Sequence, residues 1–206
     1  ENLKTGFVQG RILSYSELAF KIKEEKIKLI DGKFEFVINV QNLKEPFPMY
    51  FFIYDGEKPF MKTDIVILPA KSQTISINKD GNFDLEKSFL TIQKRNYESF
   101  FESYNNSFKK FTEKGRKLDK PSKNEIDEMI SIRNILVIKK DSLLFDFSKS
   151  NKDSYFLLND LAQSINTYGY KEIYERSFEN LSSKVKQSFW AKNVLSELKI
   201  SKNFKY

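Results

Sequence analysis

Residues 27–38, IKLIDGKFEFVI, carry the clearest fold signal in the chain. Apolar and polar residues alternate on both sides of Asp31-Gly32, as they do in half-buried strands. A tight two-residue hairpin turn needs a positive φ at both central residues, and Asp-Gly accepts that conformation readily. The stretch therefore predicts a β-hairpin that turns at Asp31-Gly32.

Runs of strand length surround this hairpin. They lie at residues 5–13, 49–54, 64–68 and 74–78, and turn or strand-breaking residues separate them at Asp55-Gly56, Pro69 and 79–82. Residues 5–80 are therefore expected to form six or seven antiparallel strands, arranged as a small β-sandwich or an open barrel.

After Asp84 the spacing of apolar residues changes from two to about 3.6, the period of a helix. Aromatic rings then follow along one predicted helical face, at Tyr97, Phe100, Phe101, Tyr104, Phe108 and Phe111. Gly115 is the predicted C-terminal stop of this helix. The pattern Ser122-x-x-Glu125 predicts a capping box that begins the next long helix.

Three more helices are predicted beyond residue 150. Ser150-x-x-Asp153 is the predicted start of the first and Gly169 its stop. A short helix follows in YKEIYERSF, and the last is expected to begin near Ser182 and run to about Leu198. Its inward residues are predicted to be Val185, Phe189, Val194 and Leu198.

Strands followed by helices, without alternation, indicate an α+β fold rather than a parallel α/β sheet. The predicted architecture is an N-terminal antiparallel β-sandwich or open barrel over residues 1–84. A C-terminal bundle of about five helices is predicted over residues 85–206.

Composition limits the chemistry that the chain can perform. It contains no Cys and no His among 206 residues, which excludes thiol nucleophiles, Ser–His triads and the usual zinc and haem ligands. Carboxylate, Lys, Ser and Tyr chemistry remain. We expect no catalytic residue, no cofactor and no metal. The longest apolar run, MYFFIY, is far below the roughly 20 residues of a membrane-spanning helix.

Two Ser-x-x-Lys patterns occur, Ser183-x-x-Lys186 and Ser107-x-x-Lys110. This spacing is found in penicillin-recognising enzymes, but the companion S-D-N and K-T-G signatures of those enzymes are absent from the sequence. A chain rich in Ser and Lys produces the pattern by chance, so we interpret both as ordinary helical positions.

Paired carboxylates at Glu24-Glu25 and Asp127-Glu128 are a second candidate for acid–base work. The first pair lies in a charged stretch of predicted strand. The second lies in the first turn of a capped helix, where negative charge complements the helix dipole. We therefore favour a structural interpretation of both.

The net charge of +7 is concentrated in the second half of the chain: residues 94–152 hold 14 basic and 9 acidic side chains. The rings of Tyr97, Phe100, Tyr104 and Phe108 could stack on bases. Phosphates could meet the basic residues Lys109, Lys110, Lys114, Arg116, Lys117 and Lys120. Rings at helical spacing are more often core residues, so nucleic-acid binding is the weaker alternative.

An apolar partner surface is a further candidate, formed by FPMYFF at residues 47–52 together with Phe60-Met61. Burial in the core is the ordinary fate of such a strand. Phe47 and Phe60 stand next to prolines, however, and are candidates for exposure.

Five short landmarks resemble a known family in their order: GRIL, LIDGKFEFVI, DIVILPAKSQTISI, NKDSYFLLNDLA and FENLSSKVKQSFWAKNVLSEL. They are similar to the N-terminal domain of unknown function that precedes a thioredoxin-like domain in exported thiol–disulfide oxidoreductases of Bacteroidetes-type bacteria. The resemblance implies a β-sandwich followed by helices, in an exported protein that is often a lipoprotein. The family has Pro-Gly where this chain has Pro69-Ala70.

No catalytic residue carries over from that family, because its Cys pair has no counterpart here. The chain begins ENLKTG without Met, so we expect that a preceding segment was removed, and with it a possible lipid anchor. The family's thioredoxin-like domain would follow a helix like the last one predicted here. Two alternatives are therefore open: Tyr206 is the boundary before such a domain, or the chain is a stand-alone version of the module.

Together these observations predict a non-catalytic accessory module of a thioredoxin-like system, with its partner domain in cis or in trans. Its expected location is extracytoplasmic, in the periplasm or at the outer membrane. A stand-alone ligand- or envelope-binding module is the first alternative, and a basic nucleic-acid-binding protein the second.

Overall fold

The fold is described from a computed structural model, which defines residues 5–12, 26–35, 45–63, 66–68, 74–78, 83–85 and 88–203. The chain divides into two compact units, Glu1–Ile92 and Gln93–Tyr206. The first unit contains the strands and the second contains nearly all of the helical residues.

Seven strands are present in the described part of the first unit: β1 (Thr5–Ile12), β2 (Ile27–Ile30), β3 (Phe47–Asp55), β4 (Lys58–Lys62), β5 (Val66–Leu68), β6 (Ile75–Ile77) and β7 (Phe83–Leu85). All of their pairings are antiparallel. The first five strands form one sheet, and β6 and β7 form a separate two-stranded sheet.

Strand β3 organises the larger sheet. One edge of β3 pairs with β1, which in turn pairs with β2. The other edge pairs with β5 near its beginning and with β4 near its end. Three strands therefore depend directly on β3 for their backbone hydrogen bonds.

The predicted turn at Asp31-Gly32 is confirmed. Both residues have positive φ, 50° and 73°, and Ile30 and Lys33 exchange two backbone hydrogen bonds of 2.9 Å across it. This is the geometry of a type I′ hairpin turn. The second arm of the predicted hairpin lies, from residue 36 on, outside the described residues, as do Pro69 and the predicted turn at 79–82.

Alternation along the strands divides the sheet into two faces. The inner face buries Val8 of β1, Leu29 of β2, and Met49, Phe51 and Ile53 of β3. Register places Val8 opposite Ile53, so these side chains meet on one side of the sheet. The outer face carries the residues between them.

The helices are α1 (Phe89–Arg116), α2 (Lys123–Ser150), α3 (Tyr155–Tyr168), α4 (Glu172–Glu179), α5 (Ser183–Lys186) and α6 (Phe189–Asn203). Five of them have eight residues or more, and α5 is a single turn. The predicted α+β class, with antiparallel strands followed by about five helices, is confirmed.

Helices α1 and α2 form a long antiparallel pair. The Tyr97 ring packs edge-on against Phe147 at 5.2 Å, and the Lys114 Nζ meets a Glu128 carboxylate oxygen at 2.5 Å near the far end. The predicted capping box starts α2: the Glu125 N–H donates to the Ser122 hydroxyl, and the Ser122 N–H donates to the Glu125 carboxylate. The pKa of Glu125 is lowered, mainly by that backbone N–H.

Gly115 is not the C-terminal stop that the sequence predicted. It lies inside α1, which ends at Arg116, and it does not have the positive φ of a capping glycine. A Cβ at this position would stand 3.2 Å from the Met129 Cε. The glycine therefore serves the close approach of α1 and α2.

The predicted start of α3 at Ser150-x-x-Asp153 is also wrong. Ser150 is the last residue of α2, and Ser154 is the N-cap of α3, its hydroxyl accepting from the Leu157 N–H at 3.2 Å. The stop at Gly169 is confirmed, with φ 73° and a hydrogen bond from its N–H to the Ile165 carbonyl.

The last predicted helix is two helices. Ser182 caps only the single turn α5, and the Ser188 hydroxyl then accepts from the Ala191 N–H at 3.2 Å near the start of α6. Val185, Val194 and Leu198 are buried as predicted. The side chain of Phe189 lies outside the described part of the structure.

Candidate functional site

The outer face of the larger sheet combines aromatic rings with lysines. Three rings of β3, Tyr50, Phe52 and Tyr54, alternate with the buried residues of that strand and are half-buried. Register places Phe7 of β1 beside Tyr54, and Lys62 of β4 beside Phe52. Every second residue of a strand lies on the same face, so these side chains share one surface.

The three rings form a row along β3. Their centroids are 5.3 Å apart for Tyr50 and Phe52 and 6.4 Å apart for Phe52 and Tyr54, with interplanar angles of 84° and 52°. Such tilted pairs at this separation are favourable ring contacts. The row is a ridge of inclined rings and not a flat stack.

Lysine ammonium groups lie over this row. The Lys62 Nζ is 4.6 Å from the centroid of the Tyr50 ring, and the Lys26 Nζ is 4.2 Å from that of Tyr54. Cation–π attraction holds the ammonium groups there. Each ammonium keeps N–H donors that can bind an anion.

The position of Tyr54 is fixed by a neighbouring side chain on the same face of the sheet. Its hydroxyl donates to the Gln9 Oε1 at 2.9 Å, and Gln9 is buried on β1. Lys28 lies on the same face, beside Phe7. None of the described residues of β1, β2 and β4 is acidic. The face therefore presents rings and positive charge together.

We name this surface, formed by Phe7, Lys26, Lys28, Tyr50, Phe52, Tyr54 and Lys62, the aromatic–lysine face. Chemically it can hold an anionic group at the lysines while an apolar face of the same molecule packs on the rings.

The apolar patch predicted from the sequence, FPMYFF with Phe60-Met61, lies in this region, and the structure divides its residues between surface and core. Phe60 is exposed, at 59% of its surface. Met49 and Phe51, from the same predicted patch, are instead buried in the core. The side chain of Phe47 lies outside the described residues.

A second cluster of chemically interesting side chains lies inside the helical unit. The Asp141 carboxylate of α2 accepts from the Tyr174 hydroxyl and from the Lys171 Nζ, both at 2.7 Å. The Asp160 carboxylate of α3 accepts from the Tyr97 hydroxyl and, at 2.6 Å, from the Lys140 Nζ.

Burial in this cluster keeps its tyrosines protonated. Desolvation, followed by Asp160, raises the pKa of Tyr97 well above its usual value. Desolvation also raises the pKa of Tyr174, with help from Asp141. Outside the cluster, desolvation raises the pKa of Tyr104, a neighbour of Tyr97, to about 12. A tyrosine with a raised pKa is a poor base and nucleophile near neutral pH.

Each carboxylate of the cluster is matched by one lysine and one tyrosine hydroxyl. Such internally satisfied groups stabilise helix packing, because breaking one partner leaves the other buried and unpaired. We therefore interpret the cluster as a structural device that joins α1 to α4.

The ring face predicted from α1 is divided between core and surface. Tyr97 stacks on Phe101 at 4.4 Å, and Phe101 and Tyr104 are buried. Phe100 and Phe108 are exposed. The basic residues from Lys109 to Lys120 lie in the distal part of α1 and the turn that follows it.

In each Ser-x-x-Lys pattern, one member is hydrogen-bonded to a backbone carbonyl. The Ser107 hydroxyl donates to the Ser103 carbonyl at 2.8 Å, and the Lys186 Nζ donates to the Glu179 carbonyl at 2.9 Å. Asp127 and Glu128 stand in the exposed first turns of α2 as predicted. Glu24-Glu25 lies outside the described residues.

Within the residues that the structure defines, no group of three or more acidic side chains is arranged to hold a metal ion. No helix in the same residues has the length and apolar character to cross a bilayer. Comparisons with family models, with curated proteins and with solved structures found no match to this chain.

The sequence analysis named Tyr50 and Phe52, within FPMYFF, but missed the lysines of the aromatic–lysine face and the buried cluster around Asp141 and Asp160. One feature of the sequence could have indicated the outward rings of β3. Tyr50 and Tyr54, four residues apart, lie on the same face of a strand that was interpreted as apolar on both faces. Asp141 could have been noticed in the same way. It lies eleven residues after Ile130 and three before Leu144, so a charged residue occupies a helical face that also carries apolar residues.

Proposed function

We propose that this chain is a binding module without chemistry of its own, and that the aromatic–lysine face holds its ligand. The proposal rests on that face: half-buried rings in a row, two ammonium groups held over them, and no acidic residue on the described parts of β1, β2 and β4. Exposed aromatic surface of this kind on a sheet is typical of a recognition site.

The ligand that fits is an anionic molecule with a ring whose C–H face can pack on aromatic side chains, such as a uronic-acid unit of an acidic polysaccharide. Its acidic groups would pair with Lys26 and Lys62, and its ring carbons would pack on Tyr50 and Phe52. The inclined planes of the rings disfavour a continuous stack of nucleic-acid bases. This supports a ligand- or envelope-binding role over nucleic-acid binding.

Polygalacturonate, with neutral dextran beside it, is a suitable probe pair. We expect polygalacturonate to raise the melting temperature of the chain and dextran to leave it unchanged. Lys62→Glu should abolish the shift, because the reversed charge stands over the Tyr50 ring. Lys58→Glu makes the same charge change on the same strand, away from the ring row, and should keep the shift.

Equal loss of binding in both variants would mean that general positive charge attracts the polymer, and the ring row would lose its role. No shift with polygalacturonate at low salt would reject an acidic polysaccharide as the ligand. Turnover in an insulin-reduction assay with dithiothreitol by this chain alone would contradict a module without chemistry.

The accessory role is part of the same proposal. The sequence resemblance supports an exported module that positions a thioredoxin-like domain, in cis or in trans. An immunoblot of source cells distinguishes the two. A native species larger than 24.3 kDa by one domain of roughly 100–150 residues indicates a partner in cis, and a species near 24.3 kDa indicates a separate partner.

A further inference from the structure

The two lysines that lie over the ring row of β3 reach it from opposite sides. In the larger sheet, β3 lies between β1 and β4, and β2 lies beyond β1. Lys62 belongs to β4, whereas Lys26 directly precedes β2. The Lys26 side chain therefore extends across β1 to bring its Nζ to 4.2 Å from the centroid of the Tyr54 ring.

The two ammonium groups also lie over different parts of the row. Register pairs Lys62 with Phe52, the middle ring. The Lys62 Nζ nevertheless lies nearer to the Tyr50 ring, at 4.6 Å from its centroid, than to the Phe52 ring, at 5.9 Å. The Lys26 Nζ lies over Tyr54, the ring at the other end. One cation therefore belongs to each end of the row.

The length of the row separates the two cations. Tyr50 and Tyr54 are four residues apart on one strand, which places their rings on the order of 10 Å apart. The successive centroid distances of 5.3 Å and 6.4 Å agree with that length. A single sugar unit spans only about half of it. One uronic acid can therefore pair with either ammonium group, but it is too short to pair with both.

The part of the row between the cations is apolar. Phe52 is half-buried and carries no polar group, and its ring meets that of Tyr50 at an interplanar angle of 84°. At one end, the hydrogen bond from the Tyr54 hydroxyl to Gln9 fixes the ring beneath Lys26. A ligand that follows β3 thus meets a cation, an apolar ring and a second cation in that order.

We infer that the aromatic–lysine face has two anion subsites, one at Lys62 above Tyr50 and one at Lys26 beside Tyr54. Its ligand is a linear oligomer of sugar acids that lies along β3. Acidic groups on two different units pair with the two ammonium groups, and the C–H face of a unit between them packs on Phe52. This inference rests on the proposed binding function and adds to it a direction and a minimum length.

Two linked subsites predict a characteristic dependence on ligand length. Once one acidic group is bound, the second pairing takes place within the same complex, at a high effective concentration. This gain requires an oligomer that reaches both lysines. The affinity should therefore rise in a single step when the ligand becomes long enough, and units added beyond the ring row should contribute little.

The test is calorimetric titration of the full chain with oligogalacturonates of one to six units at one salt concentration. We expect the affinity to increase at least tenfold in one step between two and four units, and to change less than threefold from four to six. The salt concentration is kept constant because screening weakens both pairings.

Lys26→Gln and Lys62→Gln each remove one ammonium group and keep an uncharged polar side chain. Each should lower the affinity of the four-unit oligomer at least tenfold and that of the two-unit oligomer by no more than about twofold, because one subsite remains. Lys58→Gln is the matched control. Register pairs Lys58 with Asp55, which alternates with Tyr54 and therefore lies on the other face. This variant should keep the step.

All three lysines are exposed, so the variants should fold, as circular dichroism will verify. A smooth increase of affinity with every added unit would overturn the two subsites, because it would indicate diffuse attraction by positive charge. Loss of the step in only one of Lys26→Gln and Lys62→Gln would leave a single subsite. In both cases polygalacturonate still binds and the proposed function stands. Absence of binding by the polymer and by every oligomer would instead reject the proposed function, and this inference with it.

Discussion

The hydroxyl of Tyr174 provides the sharpest test of the helical unit. The side chain is fully buried, and its hydroxyl donates to the Asp141 carboxylate at 2.7 Å. Phe has the same ring, so Tyr174→Phe removes only this hydrogen bond. A buried hydrogen bond to a charged acceptor contributes about 1.5–3 kcal/mol. We expect the free energy of unfolding to fall by about 2 kcal/mol, since Asp141 keeps its contact with Lys171.

Asp141→Ala should be worse than Tyr174→Phe. It leaves the Tyr174 hydroxyl buried without its acceptor and removes the partner of Lys171. Breaking a buried charged pair costs about 3–5 kcal/mol. The Lys171 side chain is 32% exposed and can turn to solvent, so we expect a loss near the lower limit, about 3 kcal/mol. In the double variant no orphan hydroxyl remains, and the losses should fall short of additivity by about 1.5 kcal/mol.

Urea unfolding followed by far-ultraviolet circular dichroism measures these changes, because the signal comes mainly from the helices. Tyr170→Phe is the matched control. The Tyr170 hydroxyl also donates to a carboxylate, that of Glu175, at 2.5 Å, but this contact is only partly buried. Water can replace it there, so we expect a much smaller loss than in Tyr174→Phe. Equal losses in Tyr174→Phe and Tyr170→Phe would refute the buried role of Asp141.

Three further predictions concern stability. Because burial raises the pKa values of Tyr97, Tyr104 and Tyr174, the folded state prefers the protonated phenols; this stability is complete below pH 10 and is lost as pH rises through about 12 for Tyr104. The free energy of unfolding, measured at a series of pH values while tyrosinate absorbance reports ionisation, should fall by up to about 2–3 kcal/mol because of Tyr104. A free energy of unfolding that does not change over this pH range would contradict the burial of Tyr104. Ser154→Ala should cost about 1 kcal/mol and Ser150→Ala almost nothing, since Ser154 is the N-cap of α3; the reverse order in urea melts would restore the start predicted from the sequence. Leu144→Ala should cost about 2–5 kcal/mol, whereas Ile135→Ala on the exposed surface should stay within about 0.5 kcal/mol; similar losses of stability in the two variants, measured by thermal melts, would mean that Ile135 is buried.

Features set by neighbouring residues were predictable from the sequence. The turn at Asp31-Gly32, the capping box at Ser122 and the stop at Gly169 depend on local backbone preferences, which a few residues define. The change from period two to period 3.6 likewise predicts the α+β class, because each period corresponds to one kind of element.

Features decided by a packing partner were not predictable. Gly115 resembles a helix stop, but the approach of Met129 gives it another role. Ser150 and Ser154 are equally good caps in isolation, and α2 includes Ser150 as its last residue, which leaves Ser154 to begin α3.

The candidate site was hidden for a related reason. Both faces of β3 are apolar or aromatic, so the continuous apolar run predicts a strand without showing which face meets the core. Only the register with β1 and β4 brings Lys62 and Phe7 beside the outward rings. A sequence shows the members of such a surface, and the pairing of strands brings them together.

The central place of β3 also sets an order of events during synthesis. The two partners Gln9 and Tyr54 are 45 residues apart, so β1 leaves the ribosome long before β3 exists. Until then, among the described strands, β1 has β2 as its partner, and a two-stranded ribbon is marginal in water. The nascent chain therefore exposes the apolar residues of β1 and β2 until β3 has been translated. Chaperone dependence should be concentrated in that interval, whereas the later helices can form from nearby residues as they emerge.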